Sequence, residues 1–345
     1  LIMTFRGAIR RHTHRTFIPK LSRTARFVVK HRVPILIVFL VCFLPFSIAQ
    51  AKTPVYYTIF DALPQDLPGI AGTNRLKEDF DMTTSHFIIV EDDVPEKELQ
   101  ALTEALGQVD GVHQVLSYET FLGAGIPERF LPQEARSLFE AGGHKLLLVN
   151  SSYKSGSDAQ NAQLDEMTAL VKQYDPNGVI TGEGAMTKDL IEVADEDFRS
   201  VNVSSIVLVF LIVALSFRSL SVPVLLVAAI ESAIMINLGI PYFAGQTLPF
   251  MASIVIGTIQ LGATVDYAIL MTTRFREEMN AGHTAQEAAR ISVEQCSQSI
   301  LTSGLTFFAA TFSVSLVSKM ELIGSLCRLI SRGALISMAV ILLVQ

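Results

Sequence analysis

LPFMASIVIGTIQLGATVDYAILMTT, residues 248–273, is the stretch that decides how this chain is read. Its only charged residue is Asp266. A run this long and this apolar crosses a bilayer, since about 20 helical residues span ~30 Å of hydrocarbon. A carboxylate at that depth is costly on any scale, and chains that keep one use it to move protons or ions, or to bind. Asp266 is therefore the first candidate functional residue.

The composition around it fits a membrane protein with a polar insert. The 345 residues are 50% hydrophobic and 17% charged, with a mean hydropathy of +0.42. The net charge of −6 conceals a strong asymmetry. Residues 1–50 hold nine Arg or Lys and no acid, whereas residues 51–200 hold 26 acidic and 11 basic residues, a local charge of −15. The three cysteines, Cys42, Cys296 and Cys327, all lie outside that acidic region, so it has no disulfide framework. No spacing suggests a metal site, and nothing points to a cofactor or to nucleic acid.

Working outward from residue 248, five apolar runs reach or approach bilayer length: Val33–Ala49, Val201–Phe217, Leu220–Ile240, Leu248–Thr273 and Ser299–Val317. A sixth begins at Gly333 and is read as cut short, and the chain as a piece of a longer protein. The basic residues before Val33, the Arg218 loop and the pair Arg274/Arg276 share one side of the membrane, the cytoplasmic side by the positive-inside rule. Residues 1–32 thus read as a cytoplasmic basic linker and 33–50 as the first transmembrane helix. Residues 51–200 form an external domain, and 201–345 a bundle of spans two to six. Residues 274–298 read as an amphipathic cytoplasmic helix lying on the membrane surface.

Within the external region, Ser85–Val90, Val112–Tyr118, Lys145–Asn150 and Val179–Gly182 read as strands. Helices are expected from Pro95 to Gly107, over Pro132–Glu140 and over Ser157–Tyr174. That order suggests a small α+β sandwich of the split βαβ kind. A further helix from Ala185 to Arg199 runs into the second span. His86, His113 and His144 are scattered and read as solvated or satisfied. No catalytic constellation is visible.

The chemistry sits within Gly262-Ala263-Thr264-Val265-Asp266-Tyr267. Asp266 precedes Arg274 by eight residues, ~12 Å at 1.5 Å per residue. Gly257 and Gly262 are expected to admit a close helix neighbour, and Tyr267 brings a hydroxyl able to donate to a carboxylate. The fifth run carries small and hydroxyl side chains at helical spacing, which places Ser303 or Thr306 near Asp266. Glu231, in the third span, is a second ionisable candidate, and Asn237 reads as a hydrogen-bonder between helices. No Lys or Arg is expected within the spans. An intramembrane aspartyl protease needs two such aspartates; these runs hold one, so the chain is not read as an enzyme.

At these residues the chain resembles the MMPL-type branch of the resistance-nodulation-division superfamily. The matching elements are the glycine-containing run from Gly262 to Asp266-Tyr267, followed by Arg274-Phe275-Arg276-Glu277. Thr264 departs from the pattern, standing where many members have a second Gly. The layout of one span, a large external domain and five further spans agrees over nearly the whole chain. The resemblance implies proton-driven export of lipids, lipid-linked molecules or hydrophobic drugs through the plasma membrane. It also implies a proton relay at Asp266 and Tyr267, a porter-like external domain and a second six-span repeat. A homo-oligomer stays open. The rival readings are a sterol-sensing-like receptor and a protein-translocation accessory, neither of which transports small molecules.

Overall fold

The computed structural model describes residues 21–58, 63–64, 66–118, 120 and 137–345. Contacts divide the chain into two units, one of residues 1–54, 201–318 and 323–345, the other of residues 55–200 and 319–322.

Among the described residues, six helices are long and apolar enough to cross a membrane. They are span 1, Arg32–Lys52; span 2, within Glu183–Phe217; span 3, Ser221–Phe243; span 4, Ala252–Asn280; span 5, within Ala285–Val317; and span 6, Glu321–Leu343. Span 3 is central: 56% of its most apolar window is buried, against 6% for span 1. Gly239 makes that packing possible, because a Cβ there would lie 2.7 Å from the Phe46 carbonyl oxygen. Ile230, Ile234, Ile256, Ala268, Ile300 and Ile341 are buried in the core that joins spans 3 to 6.

Three expectations are corrected. Residues 274–298 are not one helix. Span 4 continues to Asn280, the chain turns at 281–284, and a new helix starts at Ala285. Gly282 takes φ +93°, which only glycine adopts freely, and Thr284 and Glu287 form a complete capping box. Residues 1–32 are not simply a linker either, since Ser22–Lys30 is a helix. Span 6 begins at Glu321, twelve residues before Gly333, and so carries Arg328 and Arg332. The two arginines interrupt the apolar run in sequence, but the helix passes through them.

The second unit holds a sheet of five strands: β1 (Thr84–Glu91), β2 (Val112–Leu116), β3 (Glu140–Ala141), β4 (His144–Ser151) and β5 (Val179–Gly182). The order is β2-β4-β1-β5, with β3 paired to β4, and every pairing is antiparallel. β1 alternates in burial, turning His86, Ile88 and Val90 inward. The helices Glu96–Gly107 and Asp158–Tyr174 pack on that face through Leu99, Leu102, Leu106, Leu164, Met167 and Val171. Helix–strand alternation in this strand order is the split βαβ arrangement. The expected helix Pro132–Glu140 lies mostly outside the described residues; 137–139 form a turn, and Glu140 starts β3. His86 is not satisfied as expected, because it is fully buried and neither ring nitrogen has a hydrogen-bond partner among the described residues. Burial lowers its pKa to about 4.

Candidate functional site

Span 4 presents two faces with opposite chemistry. Thr258, Gly262, Asp266 and Leu270 recur every four residues and are all exposed. Asp266 has no hydrogen-bond or ion-pair partner among the described residues. No described atom comes within 4 Å of a Cβ added at Gly262, and at Gly257 one contact, Asn202 Oδ1, lies at 3.9 Å. Neither glycine therefore has a close neighbour among the described residues. The helix face that was expected to pack at Gly262 is open.

Tyr267 points the other way. Consecutive helix residues lie about 100° apart, so its side chain leaves the Asp266 face. It is 8% exposed, and its hydroxyl lies 3.2 Å from Ser303 Oγ on span 5. The expected Tyr267–Asp266 bond is thus replaced by Tyr267–Ser303. Thr306 does not reach Asp266; its hydroxyl donates to its own helix at the Thr302 carbonyl, 2.7 Å away. Thr302, Leu305, Thr306, Ala309, Ala310 and Ser313 line an open groove along span 5. Glu231 in span 3 has a buried Oε1 with no hydrogen-bond partner among the described residues.

Two turns before Tyr267, the inward face of span 4 holds a polar cluster that sequence reading did not assemble. Asn237 of span 3 is fully buried and donates from Nδ2 to Gln260 Oε1 at 2.9 Å and to the Leu329 carbonyl at 3.0 Å. Gln260 Nε2 donates to Ser337 Oγ at 2.9 Å. Arg332 donates to the Asn237 side chain at 2.9 Å and to its carbonyl at 2.7 Å. Gly333 leaves the room, for a Cβ there would lie 2.5 Å from Gln260 Oε1 and 2.6 Å from Asn237 Nδ2. A cavity of about 10 Å³ lies between Gln260, Thr264, Tyr267, Phe307 and Ser337. The expectation of no basic residue in the spans is overturned by Arg332. Its partners lie 95 residues away in sequence, so spacing gave no signal of the cluster.

Below Asp266, Arg274 pairs with Glu277 and Glu278, and Arg276 donates to the Phe217 carbonyl at 2.8 Å while stacking over the Phe217 ring. The Arg274 pairs stay within the last turns of the span 4 helix, whereas the Arg276 contacts tie its end to the end of span 2. Among the described residues no group of three His, Cys, Asp or Glu is placed to hold a metal ion.

Six apolar helices among the described residues, three of them joined by a buried polar cluster, with an α+β unit inserted after the first, define a multi-pass membrane protein. The MMPL family model matches residues 70–344, and the chain belongs to that family. It is similar to the siderophore exporter MmpL5 of Mycobacterium tuberculosis, 22% identical over 323 residues, covering 88% of this chain and 32% of that protein. The putative membrane protein YdgH of Bacillus subtilis is 26% identical over 223 residues, 64% of this chain and 23% of its own length. The mycolic acid-containing lipids exporter MmpL11 of Mycolicibacterium smegmatis is 21% identical over 166 residues, 48% of this chain and 17% of that exporter. The chain therefore spans less than a third of the length of these relatives.

Proposed function

We propose that the chain is one six-span half of a proton-driven exporter of lipids, lipid-linked or other hydrophobic compounds, with Asp266 and Tyr267 as its proton relay. The observation that carries this reading is the Asp266 carboxylate, without a partner among the described residues, on an exposed stripe of an apolar span. The exporter names of MmpL5 and MmpL11 support it. An intramembrane carboxylate without a partner is a functional group by default.

In this reading the N-terminus is cytoplasmic, residues 51–200 lie outside as a porter-like domain, and the second repeat covers the Asp266 stripe and the span 5 groove. Protonating Asp266 removes a charge from that helix interface. The neutral and charged forms then favour different packings of the two repeats, which is what coupling requires. Tyr267, held by Ser303 on the inner face of the helix, is the second residue assigned to the relay. Glu231 is a second protonatable group at mid-span, and Thr306 contributes to the groove that receives the partner.

The test uses the full-length protein in proteoliposomes loaded with a fluorescent acyl-lipid analogue. Efflux should follow an imposed pH gradient and be lost in Asp266→Asn, with the unfolding temperature unchanged. Equal efflux in the variant sinks the relay. Absence of gradient-driven efflux in the natural protein for every hydrophobic probe tried favours the receptor or translocation-accessory reading.

A further inference from the structure

The helix Ser22–Lys30 stands one residue before span 1, which starts at Arg32. It does not hang free. Ala25 is fully buried in the core of the bundle, and Ser22 Oγ donates to Glu294 Oε1 on the span 5 helix at 2.7 Å. Docking this face fixes what the other presents. Arg23, Arg26, Phe27 and Lys30 fall at i, i+3, i+4 and i+7, one continuous helix face, and all four are exposed. Phe27 is 56% exposed, a large apolar side chain set among three cations.

None of the three cations has an acidic partner among the described residues. The nearby carboxylate, Glu294, is already engaged by Ser22 and by Arg290 at 3.5 Å. Covalent continuity with span 1 keeps the whole nine-residue helix, ~14 Å long, within a headgroup layer's reach of the bilayer. Basic residues of this density beside a span, joined by an aromatic anchor, match the chemistry of anionic headgroups rather than of bulk water. The stretch that precedes the helix adds five more basic residues and no acid.

We propose that the Arg23/Arg26/Lys30 face, with Phe27 inserted among the acyl carbons, is a binding site for the phosphate headgroups of anionic lipids. A docked helix offers its cations already ordered, so this site selects headgroup charge. A solvated tail would meet the same lipids only diffusely.

The test is the unfolding temperature of the full-length protein in nanodiscs of phosphatidylcholine with and without phosphatidylglycerol. The natural protein should gain a phosphatidylglycerol-dependent rise. The triple variant Arg23→Gln/Arg26→Gln/Lys30→Gln should lose at least half of it while matching the natural protein in pure phosphatidylcholine. Charge-keeping Arg23→Lys/Arg26→Lys should retain it. An undiminished rise in the triple variant overturns the proposal, as does an equal rise from inorganic phosphate or a DNA duplex at the same phosphate concentration. If the triple variant is less stable in pure phosphatidylcholine, the single variant Arg26→Gln decides: it should lose part of the rise, and an intact rise counts against the site.

Discussion

Gln260 and Asp266 lie on the same helix, six residues apart, and could hardly be treated more differently by the fold. Gln260 is buried, with its amide oxygen taken by Asn237 and its nitrogen given to Ser337. Asp266 is exposed and has no partner among the described residues. A buried amide with every bond made holds helices together and specifies their register. A carboxylate with none made contributes nothing to the stability of this bundle, and its presence in a span needs another reason. One face of span 4 is committed to packing, and the other is the face on which the proposed relay residue Asp266 stands.

That contrast can be broken by mutation, and the largest stability effects should fall on the inward face. Asn237→Leu orphans Arg332 Nε and Gln260 Oε1, at about 1–3 kcal/mol for each buried group. Denaturant unfolding in micelles should show it as the most damaging single change in the bundle. Next comes acid. The buried His86 in the α+β unit refuses a proton until about pH 4, whereas the unfolded chain accepts it near 6.5. Stability is full above pH 6.5 and falls as the pH drops toward 4, by about 3 kcal/mol in total. His86→Leu should flatten that slope, which unfolding of the full-length protein across pH 4–7 will check. Gly333→Ala forces a Cβ onto Gln260 and Asn237 and should cost about 1–3 kcal/mol by overpacking. Tyr267→Phe removes one hydroxyl bond to Ser303, ~0.6 kcal/mol in membrane bundles, and should slow coupled efflux without abolishing it. Smallest in stability is Asp266→Asn, within about 0.5 kcal/mol, although its effect on transport should be the greatest of all.

The sequence made the outward face legible and hid the inward one, for a physical reason. Hydropathy is local, so the apolar runs and the lone Asp266 could be read from neighbours alone. The polar cluster unites Asn237, Gln260, Arg332 and Ser337 from three spans, and such contacts follow from helix packing that no short window contains. Arg332 was missed because it interrupts the apolar run that defines span 6. Other misses had visible signals. Thr284 followed three residues later by Glu287 is a capping-box pattern, and Gly282 stands just before it, so the break in 274–298 was readable. Tyr267 was assigned to Asp266 by adjacency, though 100° per residue already turns consecutive side chains apart. Gly262 has no close neighbour among the described residues, because its face is left open along with Asp266.

The central claim is that Asp266 carries protons, and proton flux tests it most directly. With the full-length protein in vesicles holding a pH-sensitive dye, addition of a transported hydrophobic probe should draw protons through the natural protein. Asp266→Asn should show no probe-dependent flux while retaining its fold. Probe-dependent proton movement at the natural rate in that variant would contradict the account.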